Sequence, residues 1–177
     1  MSLPTLYTPR LVLRMPTKAD LDHIFQLGNS PEVMRYISFG RTQTYSEARA
    51  DLRRRIRQSQ NTFGYWVTEE RATKAFVGWM SLKPLDETDD TEIGYRFLEK
   101  HWNKGYATEA GHRLLQYAFD EQGLDRIVAV SLEDNVASTK VMQKIGLTYD
   151  HTGRYYDTEC VFYAIDRQAW NALTDAD

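Results

Sequence analysis

The chain has 177 residues, enough for one domain with a sizeable core. Its make-up, 42% hydrophobic, 12% aromatic and 27% charged, suits a globular protein and argues against disorder. A net charge of −3 argues against a general nucleic-acid binder, no apolar run approaches membrane length, and the single cysteine, Cys160, excludes an internal disulfide.

Met1-Ser2-Leu3-Pro4 lacks the basic start and apolar segment of a signal peptide, so a cytoplasmic, reducing setting is expected. No repeat, low-complexity tract or linker interrupts the chain. One domain over 1–177 is expected, with its core at about 6–170. Leu11-Val12-Leu13 reads as a short strand ended by Pro16. Thr17 or Asp20 is placed to cap a helix carrying Leu21, Ile24, Phe25 and Gly28, and Pro31 marks a break. A second helix is predicted over 46–58, with Ala48, Leu52 and Ile56 on one face and Arg53, Arg54 and Arg57 on a solvated one. Strands follow at 63–68, 75–82 and 91–98, the last two joined by an acidic turn at 86–90. A helix over 107–119 aligns Ala107, Ala110, Gly111, Leu114, Leu115 and Ala118 in one buried stripe. The near-continuous apolar run 126–132 reads as a strand buried on both faces. Asp134 or Asn135 starts a further helix that Gly146 stops, and strands near 149–156 and 159–165 precede a tail helix around Trp170. The order β-α-α-β-β-β-α-β-α-β-β predicts a mixed α/β sheet.

Three places bear chemistry. The turn Trp102-Asn103-Lys104-Gly105-Tyr106-Ala107-Thr108 leads from a strand into a helix, whose first amides lack intrahelical partners and whose dipole favours an anion. A pyrophosphate satisfies both conditions. Gly105 permits close approach or positive φ, and Lys104 adds a cation. The same turn also suits a βα connection that needs glycine only for its geometry. It is neither a nucleotide P-loop nor a three-glycine dinucleotide turn. The second place is Asn135-Val136-Ala137-Ser138, where Asn135 is either a helix cap or a ligand contact. Ser138 shares a face with Val141, Met142 and Ile145. The third is Glu92, which points with Gly94 and Arg96 to one face of its strand, as a solvated or paired charge or as a working carboxylate.

The runs Thr91-Glu92-Ile93-Gly94-Tyr95, Trp102 to Ala110, Asn135 to Ser138 and Lys144-Ile145-Gly146-Leu147 together resemble the GNAT acetyltransferase superfamily. The opening Thr8-Pro9-Arg10-Leu11-Val12-Leu13-Arg14 resembles its RimJ/RimL branch, the ribosomal-protein N-terminal acetyltransferases and their relatives. The resemblance implies a single-domain GNAT fold, with a mostly antiparallel sheet splayed between the strands at 92–98 and 126–132. It implies acetyl-CoA as co-substrate and no metal. The pantetheine arm would pair with backbone near Phe97 and Leu98. The pyrophosphate would sit on Asn103 to Thr108. Asn135 would contact the pantetheine, and Ser138 would lie near the thioester sulfur. Two departures stand out: Trp102 and Asn103 replace the superfamily's usual residues at the start of the turn. The helix at 135–145 also lacks the tyrosine that often protonates the thiolate, which leaves Ser138 as the candidate.

The implied reaction is direct attack of a neutral amine. An α-amino group, with a pKa of about 7.7–8.0, is partly neutral at pH 7, whereas lysine at about 10.4 is not. Glu92 is assigned as base through water, a contribution of roughly 10²–10⁴-fold, and a backbone N–H in the splay would stabilise the oxyanion. Met34, Tyr36, Phe39 and Tyr45 are expected to help line the acceptor pocket. The acceptor is read as a protein N-terminus, with a small-molecule amine as the alternative. A non-catalytic acyl-CoA sensor would gain support if Glu92 were locked to a cation such as Arg96. No nucleic-acid or membrane partner is expected, and the chain is a monomer or homodimer, with Trp79, Tyr155 and Tyr156 assigned either to a dimer surface or to the core.

Overall fold

The computed structural model describes residues 3–86 and 88–175; Met1, Ser2 and Glu87, from the N-terminus and the acidic turn, lie outside that range. One eight-stranded sheet organises the chain in the order β1-β2-β3-β4-β5-β6-β8-β7. Its strands are β1 (Leu6–Tyr7), β2 (Leu11–Arg14), β3 (Gly64–Glu70), β4 (Phe76–Pro84), β5 (Thr91–Phe97), β6 (Arg126–Ser131), β7 (Thr148–Tyr155) and β8 (Thr158–Asp166). Every neighbouring pair is antiparallel except β5 and β6. This is the mixed, mostly antiparallel sheet that the sequence implies.

Helices cover both faces. On one lie α4 (Tyr106–Gln116), α5 (Val136–Lys144) and α6 (Arg167–Thr174). The α4 stripe of Ala110, Leu114 and Leu115 packs there on Leu11, Leu13, Trp66, Met80 and Ile93, all almost fully buried. On the other face lie α1 (Leu21–Gly28), α2 (Pro31–Met34) and α3 (Tyr45–Gln58). Ile24, Leu27, Ala48 and Leu52 meet Tyr65, Val67 and Trp79 there, so Trp79 belongs to the core.

The differences from the sequence reading have local causes. Pro31 marks the break after α1, which ends at Gly28, and itself starts α2, because a residue without an N–H fits the first helical position; Ser30 caps it, accepting from Val33 N–H at 3.2 Å. Helix α3 begins one residue early, at Tyr45, because Thr44 and Glu47 form a reciprocal capping box. Helix α4 ends at Gln116 and passes into a π turn over Tyr117–Glu121. Strand β1 is only two residues long, too short for any periodic signal.

Candidate active site

Strands β5 and β6 touch at one register pair only, Glu92 with Val128. β5 runs on to Phe97 and β6 to Ser131 without pairing again, so the sheet opens into a V with Glu92 at its vertex. Helix α4 starts at one side of the opening and α5 at the other.

The start of α4 is built for an anion. Gly105 sits at the cap with φ 77°, a left-handed value that glycine adopts without strain, and Asn103 also has positive φ, at 59°. No side chain caps the helix, unlike α3, α5 and α6, which are capped by Thr44, Asn135 and Asp166. Glu109, the acid of the first turn, is drawn away from those amides. It accepts from Thr8 Oγ1 at 2.5 Å, Arg10 N–H at 2.9 Å and Arg10 Nε at 2.6 Å. Arg10 Nη1 also donates to Lys104 O at 2.9 Å, and its guanidinium lies 4.6 Å from the Tyr106 ring centre. Arg10 thus neutralises Glu109 and braces the turn. The first amides of α4, Tyr106 to Thr108, are left facing outward, and Lys104 is exposed beside them. This arrangement fits a pyrophosphate. Trp102 is folded back, and its indole Nε1 donates to Phe97 O at 2.8 Å. The Leu98 N–H bonds to Val77 O at 2.9 Å. Contact with the pantetheine at Phe97 is thus left to its own N–H, which points away from β4, and to the carbonyl's second lone pair.

Asn135 caps α5 with its side-chain oxygen, accepting from Ser138 N–H at 3.4 Å, so the amide nitrogen remains a donor. Ser138 is tied to a residue the sequence reading had placed only as a strand position. The Tyr95 hydroxyl donates to Ser138 O at 2.8 Å and lies 3.0 Å from Ser138 Oγ. A phenol from β5 thus spans the V to the first turn of α5. Burial raises the Tyr95 pKa, so the hydroxyl stays a neutral donor. The helix that lacks its own tyrosine receives one from the facing strand.

Glu92 is 7% exposed. Its Oε2 receives the Lys83 ammonium, its register partner across β4, and the Tyr156 hydroxyl at 2.5 Å from the β7–β8 turn. Glu92 is therefore locked to a cation, Lys83 and not Arg96, and this pairing is the one that counts toward a non-catalytic acyl-CoA sensor. Among the described residues, Oε1 makes no hydrogen bond. Burial disfavours the Lys83 charge, but Glu92 and Tyr156 outweigh it and hold its pKa above the ordinary value. Burial and the adjacent Glu92 carboxylate push Tyr156 up to about 12. Tyr156 and Asp157 both take positive φ, at 51° and 61°, and the Tyr156 N–H is fixed on Asp86 Oδ2 at 2.8 Å. Tyr156 thus belongs to this trio, while Tyr155 packs against the small cluster of Leu85, Val128 and Phe162. Glu92 thus stands in a hydrogen-bonded trio with Lys83 and Tyr156, not as a lone carboxylate.

The expected acceptor residues separate. Met34 is buried against β5, its Sδ 3.3 Å from Arg96 Nη1. Tyr36 lies under the Arg35 guanidinium at 5.3 Å. Phe39 is 84% exposed. Tyr45 packs on Phe25 and donates to Asp22 at 2.8 Å. Of these four, Met34 lies against the strand that carries Glu92. Among the described residues, no three metal-ligating side chains come together, and no helix is long and apolar enough to cross a membrane.

The acetyltransferase (GNAT) domain family matches residues 10–148. The FsC-acetyl coenzyme A-N(2)-transacetylase of Aspergillus fumigatus is 35% identical, over 94% of this chain and 78% of its own length. The uncharacterized N-acetyltransferase YoaA of Bacillus subtilis is 32% identical, over 86% and 88% of the two chains. Among solved structures, a GNAT-family acetyltransferase from Bacillus anthracis superposes with TM-score 0.82 at 25% identity, over 93% and 99% of the chains. The ribosomal L7/L12 α-N-protein acetyltransferase RimL, solved with coenzyme A, superposes with TM-score 0.79 at 17% identity, over 94% and 99%; that likeness is one of fold. With an open V, an uncapped helix start and this match over most of its length, the chain belongs to the GNAT family and is an N-acetyltransferase.

Proposed function

We propose that this chain transfers acetyl from acetyl-CoA to a primary amine, in its first reading the α-amino group of a protein N-terminus. The observation that carries the acetyl-CoA reading is the start of α4. Its amides are uncapped, its acid is diverted onto Arg10, and it opens beside a gap between β5 and β6. Acetyl-CoA is a substrate here and brings the thioester that the amine attacks. The amides of Asn103 to Thr108 and Lys104 hold the pyrophosphate, and the free amide nitrogen of Asn135 donates to the pantetheine. Glu92 takes the proton from the attacking amine at Oε1, directly or through one water. Lys83 and Tyr156 keep that carboxylate in place. The Tyr95–Ser138 hydroxyl pair supplies the proton to the departing sulfur. A backbone N–H in the opening stabilises the oxyanion.

The N-terminal acceptor is supported by the opening run Thr8 to Arg14 and by structural neighbours named as ribosomal-protein acetyltransferases. A small-molecule amine is a second reading, supported by the 35% identical relative, whose name states an N(2)-transacetylase. A cytoplasmic setting suits a chain whose single cysteine, Cys160, is a buried free thiol. The test is release of CoA from acetyl-CoA in the presence of N-terminal peptides and small amines, with the acetylated product identified by mass. Amine-dependent release supports the reading; tight acetyl-CoA binding without release under any amine would make the chain a sensor.

A further inference from the structure

The face of β5 that carries Glu92 continues through Gly94 to Arg96, and this stretch holds more cationic than anionic groups. Arg96 has no carboxylate partner among the described residues. Its Nη1 meets only the Met34 sulfur, a weak acceptor, and its Nε is shut from solvent without any partner. Arg55 of α3 is 4% exposed. Its Nε donates to Asp51 Oδ2 at 2.8 Å, yet its Nη1 is buried and unpartnered. Asp51 is also shared with Arg54. Both guanidiniums lie against the ring of Trp79, Arg55 at 4.2 Å and Arg96 at 5.1 Å from its centre. Two guanidiniums thus share the Asp51 carboxylate, and Arg96 stands beside them with none. Burial and the neighbouring Arg55 push Arg96 down to about 9, so it is still a cation at neutral pH. Ser81, fully buried on the same face, also leaves its Oγ without a partner, next to Gly94. A side chain at Gly94 would meet that oxygen at 2.8 Å, so glycine keeps this stretch of strand clear.

Packing explains part of this arrangement, since both cations stack on Trp79. It does not explain why Ser81 Oγ beside Gly94, Arg96 Nε and Arg55 Nη1 all lack partners among the described residues, because such buried atoms are normally satisfied. On the reading of this face as the acceptor side of an amine acetyltransferase, we infer that the acceptor carries a carboxylate received by Arg96 and Arg55, while its amine lies over Gly94 beside Glu92. Two strand residues span roughly 7 Å. The acceptor therefore holds its amine and carboxylate several bonds apart, as in a short ω-amino acid or a peptide with an acidic residue at its start. A polyamine is excluded.

The experiment compares acceptors in matched pairs with acetyl-CoA: γ-aminobutyrate and its carboxamide, and peptides opening Ala-Asp and Ala-Asn, with spermidine alongside. In at least one pair, kcat/KM for the carboxylate should exceed that for the carboxamide by roughly ten- to a hundred-fold, the scale of a charged hydrogen bond. The pair that responds distinguishes a free amino acid from a peptide. Arg96→Met should bring that ratio close to one with the KM for acetyl-CoA unchanged, and Arg96→Lys should restore part of it. Binding is read separately by thermal shift with glutarate in the presence of CoA, present in the parent and lost in Arg96→Met. The unliganded Tm of Arg96→Met should not fall, because removing a buried cation without a counter-ion relieves a cost. Equal use of carboxylates and carboxamides, preference for spermidine, or glutarate binding unaffected by Arg96→Met would each overturn the inference. A thermal shift with acetyl-CoA alone judges the underlying enzyme reading independently.

Discussion

Replacing Gly105 tests the cofactor turn, and the structure sets the size of the effect. Gly105 has φ 77°, and a Cβ there would meet only Arg10 Nη2, at 3.4 Å. The space is adequate, so the cost is the backbone's: about 1–2 kcal/mol for a non-glycine residue in the left-handed region. For a domain of this size each kcal/mol moves Tm by roughly 2–4 °C. Unliganded Gly105→Glu should therefore melt about 2–8 °C below the parent and remain folded. Acetyl-CoA at about 100 times its Kd adds roughly 2.7 kcal/mol to the parent, which corresponds to a rise of about 5–11 °C. In Gly105→Glu that rise should vanish, because the new carboxylate faces the phosphates. Gly105→Asn, which tolerates positive φ, should keep most of both values. Differential scanning fluorimetry with and without acetyl-CoA reads all six melting temperatures. A ligand-induced rise in Gly105→Glu equal to the parent's would refute the assignment of the pyrophosphate to this turn.

Three further outcomes follow from the same geometry. Tyr95→Phe removes the hydroxyl that spans from β5 to Ser138; kcat should fall by roughly 10²–10⁴-fold with the KM for acetyl-CoA little changed, as steady-state kinetics would show, whereas a kcat within a few-fold of the parent would remove the pair from thiolate protonation. Asn135→Ala removes the α5 cap and a proposed pantetheine donor, so it should cost about 0.5–2 kcal/mol in denaturant unfolding and also raise the acetyl-CoA KM. The Lys83 pKa is raised above its ordinary value of 10.5 on folding, burial being outweighed by Glu92 and Tyr156, so its charge adds stability below that pH and loses it as pH rises through the folded value. The stability gap between the parent and Lys83→Met should therefore hold from pH 7 to about 10 and close at higher pH; a gap that stays constant to pH 11.5 would contradict the pairing.

What the sequence made legible was periodic or local. The α4 stripe, the arrangement of β4 and β5 and the glycine at the turn follow from spacing and backbone chemistry, and the ordered motifs carry the family. The partners of Glu92 show why the rest was not legible. Lys83 faces Glu92 only once the β4–β5 register is fixed, although the short acidic turn between them already limits that register. Tyr156 arrives from a hairpin 64 positions further along, which no local pattern announces. Tyr95 and Ser138, 43 positions apart, meet only because the sheet splays at one place. Arg55 is flanked by Arg53, Arg54 and Arg57, which read as a solvated face. Asp51, four residues earlier, was the available sign that this arginine turns inward.

The central claim is that a carboxylate at the vertex of the V takes a proton from an amine attacking acetyl-CoA. The most direct measurement is amine-dependent release of CoA as a function of pH, in the parent and in Glu92→Gln, with both proteins shown to bind acetyl-CoA equally by thermal shift. The account predicts that Glu92→Gln keeps the acetyl-CoA shift, lowers kcat by roughly 10²–10⁴-fold and flattens the acid limb of the pH–rate profile. Unchanged turnover and an unchanged profile in Glu92→Gln would contradict it.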